Sequence, residues 1–262
     1  MLSSDVRFNS NYGVLLRSWP GRNNLLSLLS SATSSCFQVV ASLLPHSGVK
    51  AALFWQFLLQ SYNAGFSYVH RNSSTEKEKK TSLQQLLLIV GTVSYTTCAG
   101  ALPQIFIDRL RIRNPPLQTL CRSILPIPLS AVLAFVNVLT VRHQETETGI
   151  QVFDCNGNPA GVSKAAASKA VWETALSRAV LFGTTAAVPN LLVLFLQKRG
   201  FFQRNSLLMA PCRHISAALV LGTMIPVSFS LFSPAGTINR DSVEEELQAG
   251  ASGQTLFYHR GL

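Results

Sequence analysis

Six stretches of the chain contain no charged residue: Asn23–Val49, Ala51–Val69, Thr81–Ile107, Ser123–Val141, Ala179–Leu196 and Ile215–Asn239. Soluble helices rarely run five turns without a charge, and an 18-residue helix such as Ala179–Leu196 is about 27 Å long, close to the hydrocarbon thickness of a bilayer. The pattern predicts an all-α polytopic membrane protein, with about five transmembrane helices from Ala51 onward joined by short basic loops. The first run is diluted by serines such as Ser27 and Ser42 and ended by Pro45, so it reads as a marginal span or a membrane-surface segment. Three regions follow: a basic, Ser-rich segment at 1–44, a transmembrane domain at 45–240, and a tail at 241–262 that turns acidic at Glu244-Glu245-Glu246. Arg7, Arg17 and Arg22 give the first segment the composition of a mitochondrial transit peptide, which a basic tail shares.

Polar residues inside the apolar runs are the candidates for chemistry. Gln56, Gln60 and Asn63 are spaced by four and three, which places them on one helical face. Such a stripe lines a substrate path or bonds neighbouring helices, and the second use is the commoner one. Asn137 is the one strong polar group of Ser123–Val141, and Pro126 and Pro128 break the start of that run. Pro189-Asn190 is expected to interrupt its helix in mid-membrane, freeing a backbone carbonyl beside an amide; transporters build sites this way, although packing kinks are commoner. Gly91, Gly100 and Ala101 suit close helix packing. Arg178, at the edge of its span, can snorkel or pair with Glu173.

The loop at Asp154-Cys155-Asn156-Gly157-Asn158 has the spacing of a calcium loop. Pro159 and Ala165 stand where that loop needs Gly and Glu, so an Asx- and Gly-stabilised turn is expected. The net charge of +10 comes from Lys and Arg clustered between the apolar runs, where lipid headgroups are the natural partner. No nucleic-acid motif accompanies them, so no nucleic-acid partner is expected. Cys36, Cys98, Cys121, Cys155 and Cys212 are dispersed, which fits a reducing compartment. Isolated histidines, spans nearly free of acids and the lack of nucleotide or hydrolase motifs give no support to an enzyme, a metal site or a cofactor.

Phe54–Ala64 (FWQFLLQSYNA) resembles the FWQWxNQSFNA stretch of the sideroflexin family. Gly149–Ser163 is similar to that family's GIxVxDxNGNxxGxS, Ser242–Gln248 to its SLEAELQ, and the final FYHRGL to its YFNKGL. The resemblance covers about Pro45 to Leu262. It implies a multi-pass protein of the mitochondrial inner membrane, in a family that carries small neutral amino acids, notably serine, for one-carbon metabolism. SRAVLFGTTAAVP (Ser177–Pro189) and PVSFSLF (Pro226–Phe232) resemble a divergent branch associated with respiratory complex I assembly and with iron and iron–sulfur homeostasis. The implied partners are the bilayer, complex I assembly intermediates and, if transport is retained, a small neutral amino acid along Gln56, Gln60, Asn63, Asn137, Pro189 and Asn190. Two departures bear on this. The family's N-terminal HPDT region has no match in 1–44, which reads as a truncated or alternative start, and Leu59 stands where the family has Asn.

Overall fold

The computed structural model describes residues 48–69, 83–109, 114–155, 157–197, 208–231, 235–245, 247 and 254–261. The basic segment 1–44 and nearly all of the run Asn23–Val49 lie outside them. Among the described residues there are seven α-helices: α1 (Val49–Val69), α2 (Leu83–Arg109), α3 (Pro115–Thr119), α4 (Pro126–Val141), α5 (His143–Thr148), α6 (Lys164–Gln197) and α7 (Met209–Leu231). A π-helical turn, Leu120–Ile124, joins α3 to α4, and Pro126 takes the first position of α4, where a missing N–H costs nothing.

A four-stranded antiparallel sheet corrects the all-α expectation. Strands β1 (Ile150–Phe153), β2 (Pro159–Ser163), β3 (Ala235–Asn239) and β4 (Thr255–His259) pair in the order β2-β1-β4-β3. β3 lies inside the uncharged run Ile215–Asn239, whose helix stops at Leu231, and β4 comes from the polar tail. Strands of four or five residues carry too little periodicity to register beside such runs.

The long helices alternate in direction. Gln56 meets Gly100 and Ala64 packs with Val93, so α1 and α2 are antiparallel. A Cβ at Gly183 would lie 3.2 Å from that of Ala131, while Arg142, beyond the end of α4, bonds Arg260, whose side chain reaches back to Glu173. Hence α4 runs antiparallel to α6. Leu181 packs with Leu221, and α7 leads back to the sheet at the start of α6. Among the described residues two helices, Leu83–Arg109 and Lys164–Leu196, are long and apolar enough to cross a bilayer by length and composition. More than half of the most apolar stretch of each faces outward, and Leu87, Val90, Phe106, Val188, Leu191 and Phe195 are exposed there. An outward apolar face of that extent suits lipid.

Pro189 does not interrupt α6, which continues to Gln197. Proline removes the N–H that would bond the Thr185 carbonyl, and the helix carries on around that single missing bond. Arg178 does not pair with Glu173 either. Its guanidinium lies 4.7 Å over the Phe66 ring of α1, and Glu173 accepts from Arg260 Nε at 2.6 Å and from the Tyr258 hydroxyl at 3.0 Å.

The first turns of α6 belong to the sheet. Ile150, Val152, Ile238, Leu256 and Tyr258 pack on Ala166, Ala167 and Ala170, whose methyl side chains let the strands approach closely. The exposed backbone donors at the start of α6 are met from two sides. Ser163 Oγ accepts from Ala166 N at 3.0 Å, and Glu244 Oε1 accepts from Lys164 N at 2.7 Å and Ala165 N at 3.1 Å. Gly149, at φ 82°, ends α5, and a side chain there would strike Val162.

At the other end of this unit Arg142 is only 2% exposed. Its Nε and Nη2 donate to the two oxygens of Glu145 at 2.6 and 2.7 Å, Nη1 donates to Gly261 O at 2.8 Å, and Nη2 also donates to Arg260 O at 2.7 Å. Four of the guanidinium's five N–H donors are used in these bonds.

Arg142→Ala leaves Glu145 buried without a counter-charge and is expected to cost about 3–5 kcal/mol, read as a large fall in unfolding temperature in detergent; a shift as small as that of a surface arginine would refute the role. Glu244 gives a pH signature. Burial pushes its carboxyl up, but hydrogen bonds from its own amide, Ser163, Ala165 and Lys164 outweigh this and hold it below the usual range. A carboxyl lowered in the folded state stabilises while ionised, so its contribution is present above about pH 4.3 and is lost as pH falls through the lower folded value. Glu244→Gln should therefore unfold earlier than wild type at pH 7 and converge with it in acid; a constant gap across pH would show that the charge is irrelevant.

Candidate functional site

Ala64 of α1, Val93 of α2 and Val141 of α4 form a small apolar cluster between three helices. One helical turn from it, about 5.4 Å, the same faces carry Gln60, Thr97 and Asn137. The directions agree: α1 and α4 both run antiparallel to α6, so minus four on each of them and plus four on α2 move the same way along the bundle. The three side chains therefore occupy one layer. They are 5%, 7% and 1% exposed. Gln60 Oε1, Thr97 Oγ1 and both amide atoms of Asn137 have no hydrogen-bond partner among the described residues.

Burying such groups unpaired costs about 1–3 kcal/mol each. Three helices bring that cost to one level, and Leu133, Ala134 and Val138, near Asn137 along α4, are buried as well. Unpaired groups of this kind are suited to water or to a small polar solute that supplies both donors and acceptors.

The other expected site residues are placed differently. Gln56 and Asn63 lie within a turn on either side of Gln60 and are half-buried. Gln56 packs on Gly100, where an added Cβ would come within 2.6 Å of its Oε1; this is the close helix approach expected of that glycine. Gly91, by contrast, meets nothing within 4 Å. Asn190 and Pro189 are buried but far away. Counting from the Ala131–Gly183 contact, Asn137 lies about 9 Å to one side and Asn190 about 10 Å to the other, so roughly 20 Å separates them along the bundle. Helix geometry therefore puts Gln60 and Asn137 at one level of the bundle and Asn190 at another. Sequence reasoning missed Thr97, since threonine is unremarkable in an apolar helix; only its place one turn from Val93 marks it.

Asp154, Gly157 and Asn158 form the β1–β2 turn, and Asn156 lies outside the described residues. Asp154 N donates to Asn158 O, Gly157 N to Asp154 O, and Cys155 N to the Asp154 carboxylate at 2.7 Å. The backbone itself takes up that carboxylate, as in an Asx-stabilised turn.

Comparison with known proteins fits this architecture to a family. The family model described as Sideroflexins matches residues 28–262. The chain belongs to the sideroflexin family. It is 53% identical to Sideroflexin-4 of Danio rerio over 224 residues, 86% of this chain and 71% of that protein. Sideroflexin-4 of Homo sapiens is 33% identical over 86% of this chain and 64% of its own length. Sideroflexin-5 of Homo sapiens is 31% identical over 86% of this chain and 65% of its own. The chain thus spans about two thirds of the length of these relatives. No solved structure matches it.

Leu59 gains meaning from the structure. At the position where the family motif has a polar residue, this leucine packs with Leu181 of α6 and Leu221 of α7, with Phe182 and Met224 around them. An apolar contact between three helices thus lies beside Gln60. In the ligand-free protein, Asn137→Leu removes two unpaired buried atoms at similar volume and is expected to raise stability by about 1–3 kcal/mol. Thermal unfolding of the purified protein checks this; destabilisation would mean that the amide is already satisfied by bound water.

Proposed function

We propose that this protein is a multi-pass protein of the mitochondrial inner membrane, in which α1, α2, α4, α6 and α7 are the five crossing segments. We assign it a role in the assembly of respiratory complex I and, through that, in iron and iron–sulfur homeostasis. Leu59 carries this reading: the family's polar residue is replaced by one that locks α1 to α6 and α7, which suits a scaffold more than a moving carrier. The likeness to Sideroflexin-4 supports it, because the resemblance to that branch is what implies complex I.

A second reading has its own observation. Both amide atoms of Asn137 are unpaired at 1% exposure, beside Gln60 and Thr97, which suits transport of a small neutral amino acid such as serine. The α4–α6 register puts Ser177 level with Asn137, and the neighbouring Arg178 supplies a cation for a carboxylate.

Depletion in cells tests the first reading. Assembled complex I should fall severalfold while the other respiratory complexes hold, and both the wild-type protein and Asn137→Leu should restore it. Normal complex I after depletion overturns the assembly role, and rescue by wild type alone shifts the weight to the buried layer.

A further inference from the structure

Threonines in the described helices follow a rule. Thr92, Thr96, Thr140, Thr174 and Thr185 each donate their hydroxyl to the carbonyl four residues back, at 2.7–2.9 Å. This is the usual way for a helix to satisfy a buried hydroxyl without a tertiary partner. Thr97 departs from it. Its Oγ1 is buried, yet it bonds neither the Val93 carbonyl nor any other described group. Its immediate neighbour Thr96, fully buried, does make the back-bond, so burial in α2 does not itself forbid the bond.

We infer that Thr97 is the specificity-determining hydroxyl of the Gln60–Thr97–Asn137 layer, selecting small neutral solutes that carry a hydroxyl or an amide over apolar solutes of the same size. The inference deepens the transport reading and rests on it. The three side chains supply complementary chemistry: Gln60 offers an unpaired acceptor, Asn137 an unpaired acceptor and donor, and Thr97 a hydroxyl that can do either. A solute hydroxyl can then donate to Oε1 of Gln60 or Oδ1 of Asn137 while accepting from Thr97. An apolar group in the same place leaves all of them unsatisfied. A site built to hydrogen-bond a hydroxyl discriminates strongly against the analogue that lacks it, because its own buried groups are then stranded.

The experiment uses the full chain in proteoliposomes and compares labelled serine with labelled alanine, which differ by one hydroxyl. Wild type should prefer serine. Thr97→Val preserves size and removes only the hydroxyl, so it should lower serine uptake about tenfold while alanine uptake stays within about twofold. Thr96→Val, whose hydroxyl is satisfied by its own helix, should leave the serine-to-alanine ratio unchanged. If Thr97→Val leaves the ratio unchanged, or lowers both solutes together, Thr97 is structural and the inference falls while the transport reading survives. If wild type takes up neither solute, the transport reading fails and the inference with it.

Discussion

The length of α6 governs the rest of the molecule. Thirty-four helical residues extend about 51 Å, well beyond the roughly 30 Å of a hydrocarbon core. If the helix crosses a bilayer, a substantial part of it must stand outside and be covered by something other than lipid. The sheet provides that cover. Ala166, Ala167 and Ala170 face the strands, whereas Val188, Leu191 and Phe195, further along the same helix, face outward. One rigid rod therefore belongs to two environments, and the orientation of the sheet relative to the bundle is fixed without a hinge.

The polar interactions divide along the same line. Charges that make ion pairs cluster where the sheet meets the helices: Arg142 with Glu145, Arg260 with Glu173, and Glu244 on the helix start. Burial and the neighbouring Glu173 carboxylate push the Tyr258 hydroxyl up, so it remains a donor throughout the ordinary pH range. Further into the bundle, apart from the Arg178 guanidinium over Phe66, the polar groups are mostly amides and hydroxyls, and there the satisfied and unsatisfied ones separate. Helical threonines close their bonds locally, while Gln60, Thr97 and Asn137 do not. Gln60, Thr97 and Asn137 thus gather unfilled hydrogen-bonding capacity at one level, while Gln85 Nε2 is a separate unpaired atom near the start of α2.

Long uncharged runs made the helices legible from the sequence, since each run from Ala51 onward maps onto one helix, although Ile215–Asn239 outlasted its helix by eight residues. The amide spacing on α1 drew attention to Gln60, which the fold buries, and Asn137 stood out as a lone polar residue in an apolar run. The sheet was hidden because its pairing is non-local: Val152 meets Tyr258, and Ala235 meets His259. Thr97 was hidden for a different reason. Its significance is a bond it does not make, and no residue pattern encodes that. Proline misled at position 189 because a helix held on several sides tolerates one missing hydrogen bond.

The strand order carries a consequence for biosynthesis. Among the described strands β4 comes last in the chain, yet it lies inside the sheet, between β1 and β3. Until β4 has been made, β1 and β3 each lack this neighbour, and Arg142 waits for the carbonyls of Arg260 and Gly261. The nascent chain must hold that unfinished surface while every preceding helix is put in place. The sheet can therefore close only after α6 and α7, which lie between β2 and β4 in the chain, have been made.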